Sequence, residues 1–406
     1  MTSKERVLAA LDHREPDRVP FGEWGVDHDT VEKILGRETL WRNRRLTTLA
    51  IWAGERERLV ESWKRDLVDL VLAMDYDLVP VMLVPRRDLE PTPVRQLDEE
   101  TWEREDGLLY KYTPSNDAIL CVNPSRQPVV SSAEEYLERL MAHTGDGFRA
   151  LSYSEKEGFR LELEDPSVFE LVEHVVAELG GERFVFYRGM SVFEPVHFGG
   201  SMEDFFIKVA LEPDLVRRCF DVMIDYHIAV SEEVARRGVD AIMPGGDFAD
   251  SNGPMISPQA VREIFLPGMK RLAEHIHRLG CRALIHNCGN NIPLMEVMIE
   301  AGFEAWQSIQ AVLPDLDMAR LKRDYGDRLA LWGGINIETL HDGTPQDNRR
   351  DVLYALKHAA SGGGLILGTS NSVSFGSKYE NYMAAVEAWR RYGHYPVNVP
   401  DELLEP

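Results

Sequence analysis

At 406 residues the chain can bury the core of one large barrel or of two ordinary domains, and 44% hydrophobic against 28% charged residues excludes an intrinsically disordered polymer. Lysines and arginines number 45 against 68 acidic residues, a formal charge of -23; that field has the wrong sign for a nucleic-acid backbone or an anionic membrane surface as partner. No uninterrupted apolar run of about 18 residues occurs and the opening "MTSKERVLAALDHREPDRVP" has no signal-type apolar region, so the expectation is a cytoplasmic protein with no membrane span.

The opening carries a capping-box pattern at Thr2 and Glu5, with Val7, Leu8 and Leu11 at helical spacing, and Pro16 and Pro20 stop that helix before a short β-prone run at 19–22. From there one phrase repeats: a β-prone run, a loop, an amphipathic helix, a glycine and another run. In "LEPDLVRRCFDVMIDYHIAVSEEVARRGVDAIMPGGD", Pro213 suits a first helical turn, Gly238 suits the helix end, and "VDAIM" has the near-continuous apolar character of a buried parallel strand. The next unit runs from Ser257 as N-cap to Gly280 as terminator and then "CRALIHNC"; further units end in "FEAWQSI", "RLALWGG" and "GGGLILGTS". The runs fall at 19–22, 77–83, 184–189, 239–243, 281–286, 303–309, 328–334 and 364–369, the count of an α/β (β/α)8 TIM barrel over 1–406. A doubly wound sheet is the competing fold, but its glycine-rich dinucleotide fingerprint is absent. Residues 86–165 break the rhythm, and "TWEREDGLLYKYT" predicts a hairpin turning at Asp106-Gly107 with a partner in "AILCVN", an insertion between strands 2 and 3 that shapes the mouth of the barrel.

Barrel chemistry sits at the carboxyl ends of strands. The polar residues there include Glu23, Asp27 and His28, then Arg188 and Glu194, Asp247 and Asp250, His286 and Cys288, Gln307 and Gln310, Asn336, and Asn371. Strand side chains alternate faces, so His286 and Cys288 converge on the mouth if the extended backbone persists to 288, and they form a pair suited to zinc. The competing reading is a buried, hydrogen-bonded histidine beside a cysteine acting as a small hydrophobe. Cys121, Cys219 and Cys281 are scattered, with no CxxC, so few thiols can join the pair and further ligands must be oxygens or another histidine: Glu194, Asp247 and Asn371 are the candidates. Glu194, Asp247 and Asn371 are read as catalytic; Glu23, Trp24, Arg188, Gln307 and Asn336 as substrate-binding; His286 and Cys288 as metal ligands. Trp24, Phe193 and Phe248 suit core and substrate wall alike.

Over most of its length the chain resembles the uroporphyrinogen decarboxylase superfamily and, within it, the corrinoid-dependent methyltransferase branch. The resemblance lies in the ordered phrases "SKERVLAALDHREPDRVP", "GGSMEDFF", "DFADSNGPMISPQAVREIFLPGMKRLAEHIHRLG", "LIHNCGN", "MIEAGFEAWQ", "WGGIN" and "GTSNSVSFGSKYENYMAAVEA". It implies a (β/α)8 barrel and, dimers being common there, a homodimer. The decarboxylases carry arginines just after the first strand where this chain reads "GEWGVDHDT", which disfavours a tetrapyrrole decarboxylase. The thiol-methylating members follow their HxC with a cysteine after the last strand, and "GTSNSVS" has none. The better fit is to members that move a methyl group from an O-methyl or N-methyl donor, a methoxylated aromatic being the leading candidate, to the cobalt of a corrinoid on a separate protein. The chain lacks a corrinoid-binding DxHxxG of its own. The alternative is a metal-independent decarboxylase of a small organic acid.

Overall fold

The computed structural model describes the chain except residues 124–127, 144–150, 155–157, 162–165, 194–197, 314 and 406. Seven of the apolar runs become parallel strands: β1 (Leu78–Val81), β8 (Phe184–Ser191), β9 (Ala241–Gly245), β10 (Arg282–His286), β11 (Ala305–Ile309), β12 (Ala330–Ile335) and β13 (Leu365–Thr369). They lie in the order β1-β8-β9-β10-β11-β12-β13, helices following the strands as in an α/β TIM barrel.

The first run closes the ring. Phe21 makes a parallel bridge to Leu367 of β13, Leu367 N donates to Pro20 O (2.8 Å), and on the other side Asp77 N donates to Phe21 O (2.7 Å). The fully buried Asp77 carboxylate accepts from Phe21 N at 2.9 Å and from Arg18 at 3.3 Å, and also pairs with Arg6. Leaving one partner of such a buried pair uncompensated costs about 3–5 kcal/mol, so this carboxylate fixes where the ring closes.

Alternation sorts the side chains into two layers. Leu78, Phe186, Met243, Leu284, Trp332 and Ile366 belong to the cluster filling the barrel, and Val7 and Leu11 of the opening helix Ser3–Leu11 join it and cap one end. That helix has the expected capping box between Thr2 and Glu5. The larger cluster packs helices against the outer face. Pro213 opens the helix Pro213–Arg236, Ser257 Oγ accepts from Ala260 N, and Gly302 ends the helix Met295–Ala301 in the left-handed region (φ 95°). No helix among the described residues is long and apolar enough to cross a membrane.

Between β1 and β8 lies a four-stranded antiparallel sheet of β2 (Val94–Asp98), β3 (Thr101–Arg104), β4 (Leu109–Thr113) and β5 (Ala118–Cys121), and a two-stranded one of β6 (Leu151–Ser154) and β7 (Gly158–Leu161). The hairpin at Asp106-Gly107 and its partner are present, but the sheet is larger than the sequence indicated: β2 pairs with β3. Trp102 and Tyr110 pack on Trp52, which ends the helix Arg44–Trp52.

Candidate metal centre and adjoining pocket

His286 follows Leu284 by two residues and therefore continues the inward-facing series into the mouth. Its register partners are Gly245 on β9 and Gln307 on β11. Two residues beyond Gly245 and His286 stand Asp247 and Cys288, so parallel register alone aligns the two loops that leave these strands. Gly289 (φ 83°) makes the turn after Cys288, and a Cβ there would lie 2.6 Å from Ala249 O of the facing loop. Asn291 Nδ2 reaches the carbonyls of Asn287 (3.0 Å), Cys288 (2.8 Å) and Gly289 (3.1 Å), while Asn287 Oδ1 accepts from Phe248 N at 3.0 Å. Asn287 and Asn291 of "HNCGNN" thus clamp the loop that carries the thiol.

The donor atoms converge. Cys288 Sγ donates to Asp247 Oδ1 at 3.1 Å, Cys288 N donates to the same oxygen at 3.2 Å, and His286 Nε2 lies 3.7 Å from it. Asp247, His286 and Cys288 each offer one ligand atom, all within 4.8 Å of one another. Tetrahedral zinc with bonds of about 2.0–2.3 Å sets neighbouring donors about 3.3–3.8 Å apart, so this set fits the ion with small adjustments. The Asp247 side chain is 52% exposed, which leaves an open face, as zinc sites that act on a substrate do.

Behind the imidazole, His286 Nδ1 donates to Gln307 Oε1. Gln307 Nε2 donates to Thr369 O (3.2 Å) and Asn371 O (3.3 Å), which fixes the amide with its oxygen toward the histidine. The Nε2 lone pair is thereby turned to Asp247 and Cys288. Burial lowers the His286 pKa, Arg188 adding to the effect against Asp247 and Gln307, so the ring is neutral and able to ligate. Burial and the Asp247 carboxylate push the Cys288 thiol up to about 12 without a cation.

The expected site residues divide. Asp247, His286 and Cys288 come together, and Trp24 stacks on His286 (ring centroids 4.5 Å, 16° between planes). Arg188 follows Phe184 and Phe186 on the inward face of β8, with its guanidinium carbon 3.3 Å from the Trp24 ring centroid. Burial, then Arg42, push its pKa well below the usual guanidinium value. Because arginine keeps its proton in proteins, the consequence is a destabilised cation. Asn371 lines the same pocket as Trp24 and Arg188. Glu194 lies outside the described residues.

Three of the residues expected to bind substrate are not among those lining the pocket. Gln307 is 1% exposed and contacts His286 Nδ1 from behind the ring. Asn336 is 7% exposed at the start of the helix Ile337–Asp342, its backbone N–H on Asp351, and is not among the pocket-lining residues. Glu23 is fully inside: Oε2 accepts from Thr369 N (2.9 Å) and Oγ1 (2.6 Å), and Oε1 from Tyr382 OH (3.2 Å), which contacts Tyr76 OH (2.5 Å). It stitches the first run to β13. Phe193 and Phe248 are buried in an aromatic cluster with Phe265, which makes them core.

Desolvation raises the Glu23 pKa from 4.5 to about 7. Between those values the folded chain keeps a proton that the unfolded chain gives up, so this contribution to stability is full below the unfolded value and is lost as pH rises through about 7. The difference is on the order of 3 kcal/mol. Glu23→Gln should remove that pH-dependent loss, measured as urea stability at pH 5 and pH 8; an identical pH dependence in wild type and variant would contradict the assignment.

The pocket beside the metal ligands has a volume of about 450 Å³, within the range of small-molecule sites. Trp41, Arg42 and Arg44 also line it, residues that a search of strand ends passes over. Gly25 makes room for Arg42, whose Cζ would be 2.6 Å from a Cβ there.

The sequence matches the family model described as uroporphyrinogen decarboxylase (URO-D) over residues 166–392. Among solved structures, a methyltransferase from Methanosarcina mazei is 18% identical, with 97% of this chain and 99% of that chain covered and a TM-score of 0.64, a likeness of fold. A D-psicose 3-epimerase from Clostridium cellulolyticum H10 is 12% identical over 55% of this chain and 83% of its own, with a TM-score of 0.36, too low to carry an argument. No curated protein matches the chain.

Proposed function

The chain belongs to the uroporphyrinogen decarboxylase family, and on that premise we propose that it is a methyltransferase passing a methyl group from a small O-methyl or N-methyl donor to the cobalt of a corrinoid on a separate protein. The observation that carries this reading is the convergence of Asp247, His286 and Cys288 at the mouth of a barrel, beside a pocket walled by Trp24. The resemblance to the methyltransferase branch and the likeness of fold to the Methanosarcina mazei methyltransferase support it.

Attack on the methyl carbon expels an alkoxide or an amine, poor leaving groups unless charge on the departing atom is taken up. Asp247, His286 and Cys288 would hold zinc, which supplies a Lewis acid at that point. Gln307 keeps His286 in the ligating tautomer, and Asn371, at the pocket edge, orients the donor. Glu194 is proposed as a further acid on its position after β8 in the sequence alone. The exposed edge of Asp247 leaves the site open on the side where a corrinoid protein would dock.

Incubating the protein, loaded with zinc, with a reduced corrinoid protein and a panel of methoxyarenes and methylamines should raise methylcobalamin absorbance with at least one donor. Silence across the panel would contradict the proposal. A second reading, decarboxylation of a small organic acid, draws on the arginines of the pocket; carbon dioxide release without any need for metal would favour it.

A further inference from the structure

Three arginines, Arg42, Arg44 and Arg188, line the pocket and, among the described residues, no acidic side chain does, in a chain whose formal charge is -23. Two of them are already engaged: Arg42 meets Asp27 Oδ1 at 2.7 Å and Arg44 reaches Asp27 Oδ2 at 3.4 Å. Arg188 makes no hydrogen bond or ion pair with any described residue. Among the described residues its one strong contact is the Trp24 ring at 3.3 Å.

The carboxylate that acts on Arg188, Asp27, is already shared by Arg42 and Arg44; a partly buried cation with so little counter-charge is costly, and a cation–π contact recovers only part of that cost. At 3.3 Å from the ring centroid there is room only for a guanidinium lying flat on the indole, so its N–H donors point outward in its own plane. A planar carboxylate approaching along that plane satisfies two of them at once. The same indole stacks on His286, so a molecule anchored on Arg188 lies next to the Asp247, His286 and Cys288 donors.

We propose that Arg188 is the carboxylate-binding group of this pocket, and hence that the small molecule acted on is an anion carrying a carboxylate besides its methyl group. This rests on the methyl-transfer reading for the words "methyl group" and on the pocket alone for the carboxylate.

Titration calorimetry without corrinoid tests the second part separately. Two pairs of probes suffice, 4-methoxybenzoate with 4-methoxybenzamide and methoxyacetate with methoxyacetamide, so that both aromatic and aliphatic bodies are covered. In at least one pair the carboxylate should bind wild type more than about tenfold tighter than the uncharged amide. Arg188→Met should erase that preference, and Arg188→Lys should keep part of it. The wild-type comparison stands even if a variant misfolds. The inference is overturned if neither pair discriminates, if Arg188→Met retains the full preference, or if inorganic phosphate binds tighter than every carboxylate. Carboxylate selectivity with no methyl transfer from any donor would end the functional reading and leave this one standing; methyl transfer from neutral anisole as fast as from 4-methoxybenzoate would do the reverse.

Discussion

His286→Ala is expected to abolish methyl transfer and to weaken zinc binding by more than about 100-fold, since loss of a group that merely supports a ligand already costs about 10–100-fold. The substitution removes Nε2 from the three-atom set, strips Gln307 Oε1 of its donor and takes away the ring on which Trp24 stacks. Competition with a chromogenic chelator reads the affinity, and circular dichroism checks that the barrel survives. Zinc affinity unchanged in a folded His286→Ala protein would remove the imidazole from the site.

Gln307→Leu separates support from ligation. The leucine fills a similar space but cannot accept from His286 Nδ1 or donate to the carbonyls of Thr369 and Asn371. Zinc affinity should fall by about 10–100-fold, and stability by about 1–3 kcal/mol for the polar groups left unpaired inside the barrel. Gln307→Glu keeps an acceptor facing the ring and should restore most of the affinity. A stability loss with no change in affinity would make Gln307 a purely structural residue.

The barrel was legible because parallel strands are buried on both faces, which leaves short apolar runs that stand out between amphipathic helices. The same signal fails where burial fails. Val94–Asp98 is mostly exposed and reads as polar loop; it becomes a strand only through pairing with β3, a tertiary effect. The first run, 19–22, was found although it carries a single bridge, because Val19 and Phe21 are buried between β13 and β1.

In the site, alternation along one strand sufficed for His286 and Cys288, and the glycines before Asp247 signalled a turn off the strand beside them. Depth was not legible. Glu23 and Asn336 follow strands and Gln307 lies within β11, yet the partners of Glu23 and Gln307 stand far away in sequence: Thr369 and Tyr382 for Glu23, the carbonyls of Thr369 and Asn371 for Gln307. Nothing local distinguishes a carboxylate at the mouth from one stitched inside. Arg42 and Arg44 were passed over for the opposite reason. They come from "WRNRR", the turn and first helical residues around Asn43, which resembles any solvated basic run until Gly25 and Asp27 are seen to draw it over the pocket.

The proposed chemistry requires a cation held by Asp247, His286 and Cys288. Protein purified anaerobically with its thiols reduced, equilibrated with zinc and dialysed, should retain close to stoichiometric metal by elemental analysis, whereas Cys288→Ser handled identically should retain little. Wild-type protein that keeps no zinc, or a Cys288→Ser protein that keeps as much, would contradict it.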